Sequence, residues 1–305
     1  MPRLPALILV LLLAAAPAWG GGAISVVTTT TDLKALVEAV GGDHVSVESL
    51  APAIHDPHAV EVKPGQLARL REAALLVRVG LDHEPWLARP LRAAGNARLL
   101  PRGPGDLDVS GGVELLQAET VRARPERGGH VHGLGNTHYW LDPENARVMT
   151  ATILGGLARL APADRAAFTA NRARFLERLD AGLARWTRSM APLAGLRVVV
   201  AHDSWPYFAR RFGLVVVAAI EPSPGVPPSP QSLGALTTRM REGGVRLILA
   251  EPWSNAAVVS QVAARSGART VILASSVGAE PEARDYIALF DLNVRRLVEA
   301  AAAPR

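Results

Sequence analysis

Apolar positions along the chain fall into two alternating patterns. Short β-branched runs at Ile24–Thr28, Val45–Leu50, Leu75–Val79 and Arg98–Leu100 read as strands, and the amphipathic stretches Asp32–Val40 and Pro64–Ala74 between them read as helices. The same alternation returns in the last third of the chain, with strands predicted at Arg197–Ala201, Val215–Ile220, Arg246–Ala250 and Thr270–Ala274. Strands that are apolar along their whole length and alternate with helices belong to parallel sheets covered on both faces. The pattern therefore predicts an α/β fold of two lobes, each a mostly parallel four-stranded sheet flanked by helices.

Between the two sets of strands lies a long helical region. Its first part opens at Asp142-Pro143-Glu144, where Asp caps, Pro takes the first helical position and Glu suits the helix dipole. Its second part opens at Pro162-Ala163-Asp164 and carries Phe168, Phe175, Leu179, Leu183 and Trp186 on one face as far as about Met190. A helix of ~26 residues is near 40 Å long, enough to run along both lobes as one rigid backbone helix. The segment Pro101–Thr137 is rich in glycine and reads as mostly loop.

The N-terminus adds a targeting signal. Arg3 precedes the apolar run Leu4–Ala16, and Ala16-Pro17-Ala18 offers a small-x-small cleavage site. The run is shorter than the ~20 apolar residues a membrane span needs. Residues 1–22 are therefore expected to be a signal peptide, followed by an N-terminal lobe over 23–160, a connecting helix over 161–192 and a C-terminal lobe over 193–305.

Composition narrows the chemistry. Among 305 residues there is no cysteine, which excludes disulfides, thiolate metal sites, a cysteine nucleophile and an N-terminal lipid anchor. Any metal must be held by His, Asp or Glu. The formal charge of +5 is modest, and its arginines are scattered along helices such as Arg165 to Arg188 without interleaved aromatics, so no nucleic-acid surface is expected.

Three of the eight histidines share a structural context. His58 follows the second strand, His138 directly precedes the capped helix at Asp142, and His202 stands at the carboxyl end of the first strand of the second lobe. Ligands of open α/β sheets bind outside the carboxyl ends of the strands, so these imidazoles are placed to converge on an interlobe cleft as a metal site. His44, His55 and His83 read as structural.

At this point several strings together resemble a known family. Asp56-Pro57-His58 followed by Pro64, the stretch from Gly80 through Glu84, Trp86 and Leu87, His138-x-Trp140-Leu141-Asp142-Pro143, and His202 through Phe208 resemble the periplasmic zinc/manganese solute-binding proteins of ABC importers, the ZnuA/TroA-like cluster. The resemblance covers essentially the whole mature chain. It implies a monomer, free in the periplasm, that binds one divalent transition ion in the cleft and delivers it to ABC permease subunits, with a periplasmic metal donor as a possible further partner. The three nitrogen ligands of the family fall on His58, His138 and His202. His rather than Glu at the third position argues for zinc over manganese, since imidazole suits Zn²⁺ and carboxylate suits Mn²⁺.

The family's usual fourth ligand, an Asp, is replaced by serine in Leu273-Ala274-Ser275-Ser276. Glu251, Glu221, Ser275 or a water remain candidates for that position, with Glu251 favoured as polar support for the site. His130 and His132, in the Gly-rich loop, resemble a much shortened version of the family's His-rich loop, either an auxiliary capture site or incidental. Glu221 through Pro230 holds five prolines and reads as a stiff rim to the cleft. The competing reading is a zinc-dependent hydrolase, because three histidines and a water also make a catalytic zinc site. An organic-solute binder or adhesin on the same two lobes is a second competitor.

Overall fold

The computed structural model describes residues 22–117, 135–221 and 226–303. Residues 1–21 of the expected signal peptide, His130 and His132 lie outside the described residues. The apolar runs become two wholly parallel four-stranded sheets. The first contains β1 (Ile24–Thr28), β2 (Val45–Ser49), β3 (Leu75–Arg78) and β4 (Asp106–Asp108) in the order β2-β1-β3-β4. The second contains β5 (Arg197–Val200), β6 (Val215–Ala219), β7 (Leu247–Ala250) and β8 (Arg269–Ile272) in the order β6-β5-β7-β8. The two wirings are identical, and the central strands of each are its most buried ones.

One strand differs from expectation. Arg98–Leu100 is not a strand: Ala97–Leu99 forms a 3₁₀ turn whose Arg98 amide donates to the Asn96 side chain. The fourth strand is Asp106–Asp108, inside the segment read as loop. A three-residue Asp-Leu-Asp strand has no β-branched run to announce it. It is held by Leu107 packing into the core and by Arg78 on β3, which reaches Asp106 at 2.7 Å and Asp108 at 2.8 Å.

Nine helices among the described residues cover the sheets: α1 (Thr31–Gly41), α2 (Pro64–Glu72), α3 (Ala88–Ala94), α4 (Ala146–Leu160), α5 (Arg165–Met190), α6 (Pro206–Phe212), α7 (Pro230–Glu242), α8 (Ala256–Ser266) and α9 (Tyr286–Ala302). The 26 residues of α5 span about 39 Å. Its buried stripe of Phe168, Phe175, Leu179, Trp186 and Met190 follows the predicted face. Asn171 of α5 donates to the Val40 carbonyl of the first lobe, and Trp186 packs on Phe290 of the second at 5.2 Å. The helix is thus bolted to both lobes.

A single buried apolar cluster runs from Val26 and Val77 of the first sheet through Tyr139, Trp140, Trp205 and Phe208 to Val198 and Leu249 of the second. Polar ties cross the same seam. Trp140 Nε1 donates to the Ser275 carbonyl, and the buried Asp32 of α1 accepts the Val277 amide at 3.0 Å. Packing this continuous resists large rigid-body motion. We propose 23–160, 161–192 and 193–305 as the working division of the chain.

Candidate metal centre

Each of the three histidines is positioned by its own local device. His58 sits in the turn after β2, where Asp56 Oδ1 accepts its backbone amide at 2.8 Å. His138 precedes the 3₁₀ turn Tyr139–Leu141, and Asn136 Oδ1 accepts its amide at 3.0 Å. His202 leaves the end of β5 and is 2% exposed, with His138 at 3%.

The side chains converge. Their ring centroids lie 5.0 Å (His58 to His138), 5.6 Å (His58 to His202) and 5.3 Å (His138 to His202) apart. The Nε2 atoms of His58 and His138 are 3.1 Å apart, and one nitrogen from each ring falls within 4.8 Å of the others. Among the described residues this is the one group of three or more His, Cys, Asp or Glu with that property. A tetrahedral zinc with Zn–N bonds of about 2.0–2.1 Å needs nitrogens roughly 3.3 Å apart, so small side-chain adjustments close the set.

The other nitrogen of each ring faces an oxygen that can only accept. His58 Nδ1 meets the His83 carbonyl at 3.0 Å, His138 Nδ1 meets Asn136 Oδ1 at 3.2 Å, and His202 Nδ1 meets Glu221 Oε2 at 2.9 Å. Each Nδ1 must therefore carry the hydrogen, which leaves the Nε2 lone pairs to aim at a common point. His202 Nε2 is buried with no hydrogen-bond partner among the described residues. Burial pulls the His202 pKa down, but the Glu221 hydrogen bond and the charges of Glu251, Glu221 and Asp56 outweigh it, and the net shift is upward.

The carboxylates divide differently from the sequence expectation. Glu221, not Glu251, orients His202. Glu251 is fully buried, with Oε1 accepting from Trp205 Nε1 at 2.7 Å and Oε2 from Ser254 Oγ at 2.6 Å, and burial pushes its pKa up. It reaches His202 through its charge and not by a bond. Ser275 Oγ lies 3.3 Å from Trp253 Nε1, and its carbonyl accepts from Trp140. Two glutamates, each followed by proline at the end of a strand beside β5, look alike in sequence; Trp205 and Ser254 take the two oxygens of Glu251, and Glu221 meets the His202 ring.

His83, which the sequence places among the structural histidines, has surroundings that say more. It is fully buried, its ring 4.3 Å from that of His58 and 5.5 Å from that of His138, with Nδ1 at 2.8 Å from Thr137 Oγ1. The available signal is its place in the loop that follows β3, on the carboxyl side of the sheet where His202 also follows a strand. It follows three consecutive left-handed residues, Gly80 (φ 78°), Leu81 (φ 57°) and Asp82 (φ 59°). Left-handed backbone costs a non-glycine residue about 1–2 kcal/mol, so something must hold this turn. The half-buried Glu84 does so, its carboxylate accepting from Thr29 Oγ1 (2.6 Å), the Val79 amide (2.7 Å) and the Gly80 amide (3.1 Å). Burial pushes the Glu84 pKa up to about 7 despite those bonds. By contrast, His44 pairs with Asp164 at the surface, and His55 is exposed.

Comparison with known proteins agrees with this architecture. A family profile described as zinc-uptake complex component A, periplasmic, matches residues 26–300. The chain is 27% identical to the high-affinity zinc uptake system protein ZnuA of Yersinia pestis over 247 residues, 77% of each chain. It is 29% identical to the ZnuA of Paracoccus denitrificans over 280 residues, 84% of this chain and 85% of that one. Among solved structures, a crystal structure of ZnuA superposes with a TM-score of 0.76 at 29% identity, covering 92% of this chain and 100% of the other. The manganese complex of the binding protein FpvC from Pseudomonas aeruginosa superposes with a TM-score of 0.74 at 25% identity, covering 91% of this chain and 98% of the other.

Proposed function

The chain belongs to the family of periplasmic zinc-uptake components, and from that premise we propose that His58, His138 and His202 hold the transported zinc ion through their Nε2 atoms. The protein is a solute-binding component of an ABC uptake system and not an enzyme. The observation that carries the ligand assignment is the common orientation of the three rings, each Nδ1 given to an oxygen and each Nε2 turned to one point. Three neutral imidazoles suit Zn²⁺, a borderline ion, better than Mn²⁺, which favours oxygen.

The fourth position goes to water. Glu251 spends both oxygens on Trp205 and Ser254, and Glu221 spends one on His202. The same engagement argues against the hydrolase reading, which needs a carboxylate at the open position as a general base. The shared core favours release by a small shift of the ligands, without wide opening of the lobes. Removal of residues 1–22 on export, action as a monomer, and delivery to the permease complete the reading.

The test is a zinc competition titration of the mature protein against a chelating dye. One zinc per chain is expected for the parent, and Ala at any one of the three histidines should cost about 3 kcal/mol or more, a loss of at least a hundredfold. A single replacement that leaves affinity unchanged would remove that residue from the ligand set.

A further inference from the structure

Lobe one supplies two of the three histidines, and both lean on one short segment, 79–86. Its His83 carbonyl accepts from His58 Nδ1, and its Trp86 Nε1 donates to the Pro57 carbonyl at 2.9 Å, so the His58 loop is gripped twice. On the other side, the Val79 carbonyl accepts from Tyr139 Oη at 2.6 Å, and the His83 ring meets Thr137 Oγ1, so the residues on either side of His138 are gripped as well. The segment can do this only while Gly80, Leu81 and Asp82 stay left-handed. The turn has no room to relax toward β4, because a Cβ on Gly80 would come within 2.3 Å of the Asp108 carboxylate.

We propose that Glu84 is the positioning residue of the zinc site: by accepting the Val79 and Gly80 amides and the Thr29 hydroxyl, it holds the left-handed turn that sets His58 and His138 in their binding arrangement. Glu84 bonds to Thr29, Val79 and Gly80. It acts through the His83 carbonyl and ring, which makes His83 the link between two ligands distant in sequence, at positions 58 and 138. A chain without this brace keeps all three histidines but presents two of them in the wrong register. The proposal rests on the three-histidine reading, and the two are separable: His58→Ala tests the ligand set, whereas changes at Glu84 leave all ligands in place.

Zinc affinity by dye competition, the visible absorption of the Co²⁺-loaded protein and the melting temperature of the metal-free protein should be measured together. Glu84→Ala should lower affinity about ten- to a hundredfold and alter the Co²⁺ bands, which report ligand geometry. Glu84→Gln keeps one acceptor oxygen and should lose only severalfold, with parent-like bands. Leu91→Ala, in the lobe-one core away from the site, should lower the melting temperature while leaving affinity and spectrum alone. If Glu84→Ala does not fold, Gly80→Ala strains the same turn from outside and should also cost about tenfold. Parental affinity and spectrum in whichever of Glu84→Ala and Gly80→Ala folds would overturn the proposal, as would an equal loss in Leu91→Ala.

Discussion

The two lobes repeat one wiring, β2-β1-β3-β4 and β6-β5-β7-β8, yet they treat their histidines differently. The first lobe orients His58 and His138 with neutral acceptors, a backbone carbonyl and an asparagine side chain. The second orients His202 with a carboxylate, Glu221, and keeps a second carboxylate, Glu251, buried close by. An Nδ1–H donated to a carboxylate makes the opposite nitrogen more basic than one donated to an amide. The parallel sheets supply the position at the carboxyl end of the strands, while the residues beside each imidazole set how it competes for a proton and for a metal.

The difference can be broken at several points. The largest effect is expected at Glu221. Replacing it with Gln should weaken zinc about ten- to a hundredfold, whereas Asn136→Ala, which removes a neutral acceptor, should cost less in the same competition titration. Equal losses would mean that the charge of Glu221 contributes nothing.

The next effect is in pH. A ligand imidazole must be neutral, and the reference His pKa is about 6.5. Because the His202 pKa is shifted upward, protons should displace zinc from the second lobe first as pH falls. Glu221→Gln removes one of the charges behind that shift while keeping an oxygen that can accept from Nδ1, so the acid limb of its affinity profile should move to lower pH. Affinity measured from pH 7.5 to 5 in both proteins checks this.

A smaller effect concerns the seam between the lobes. Burial pushes the Asp32 pKa up to about 7 from a usual 3.8. The folded protein therefore holds a proton that the unfolded chain has released, and stability from this group is full below about pH 4 and lost as pH rises through about 7. Asp32→Asn keeps an acceptor for the Val277 amide and has no proton to lose. Its stability relative to the parent should increase from pH 5 to pH 8 in urea denaturation of the metal-free protein. A constant difference would show that Asp32 does not titrate at the seam.

The smallest effect is expected from the surface. Val215 and Ile272 are large apolar side chains exposed on the edge strands β6 and β8, and Val215→Thr or Ile272→Thr should change stability by no more than about 0.5 kcal/mol. Melting curves suffice to check it.

The sequence by itself determined the two-lobe α/β class, the long helix and its buried face, and the three histidines as one group. These are carried by local patterns: apolar runs, capping residues and placement at strand ends, each readable within a few neighbours. The strand Asp106–Asp108 escaped because its pairing depends on Arg78, 28 residues away from the first of its two aspartates. Glu221 rather than Glu251 beside His202, and His83 between His58 and Thr137, were decided by tertiary structure alone. Hydrogen-bond partners across β5 and β6, or across a left-handed turn, depend on which strand ends become neighbours and on distances of about 3 Å, and no spacing along the chain encodes those.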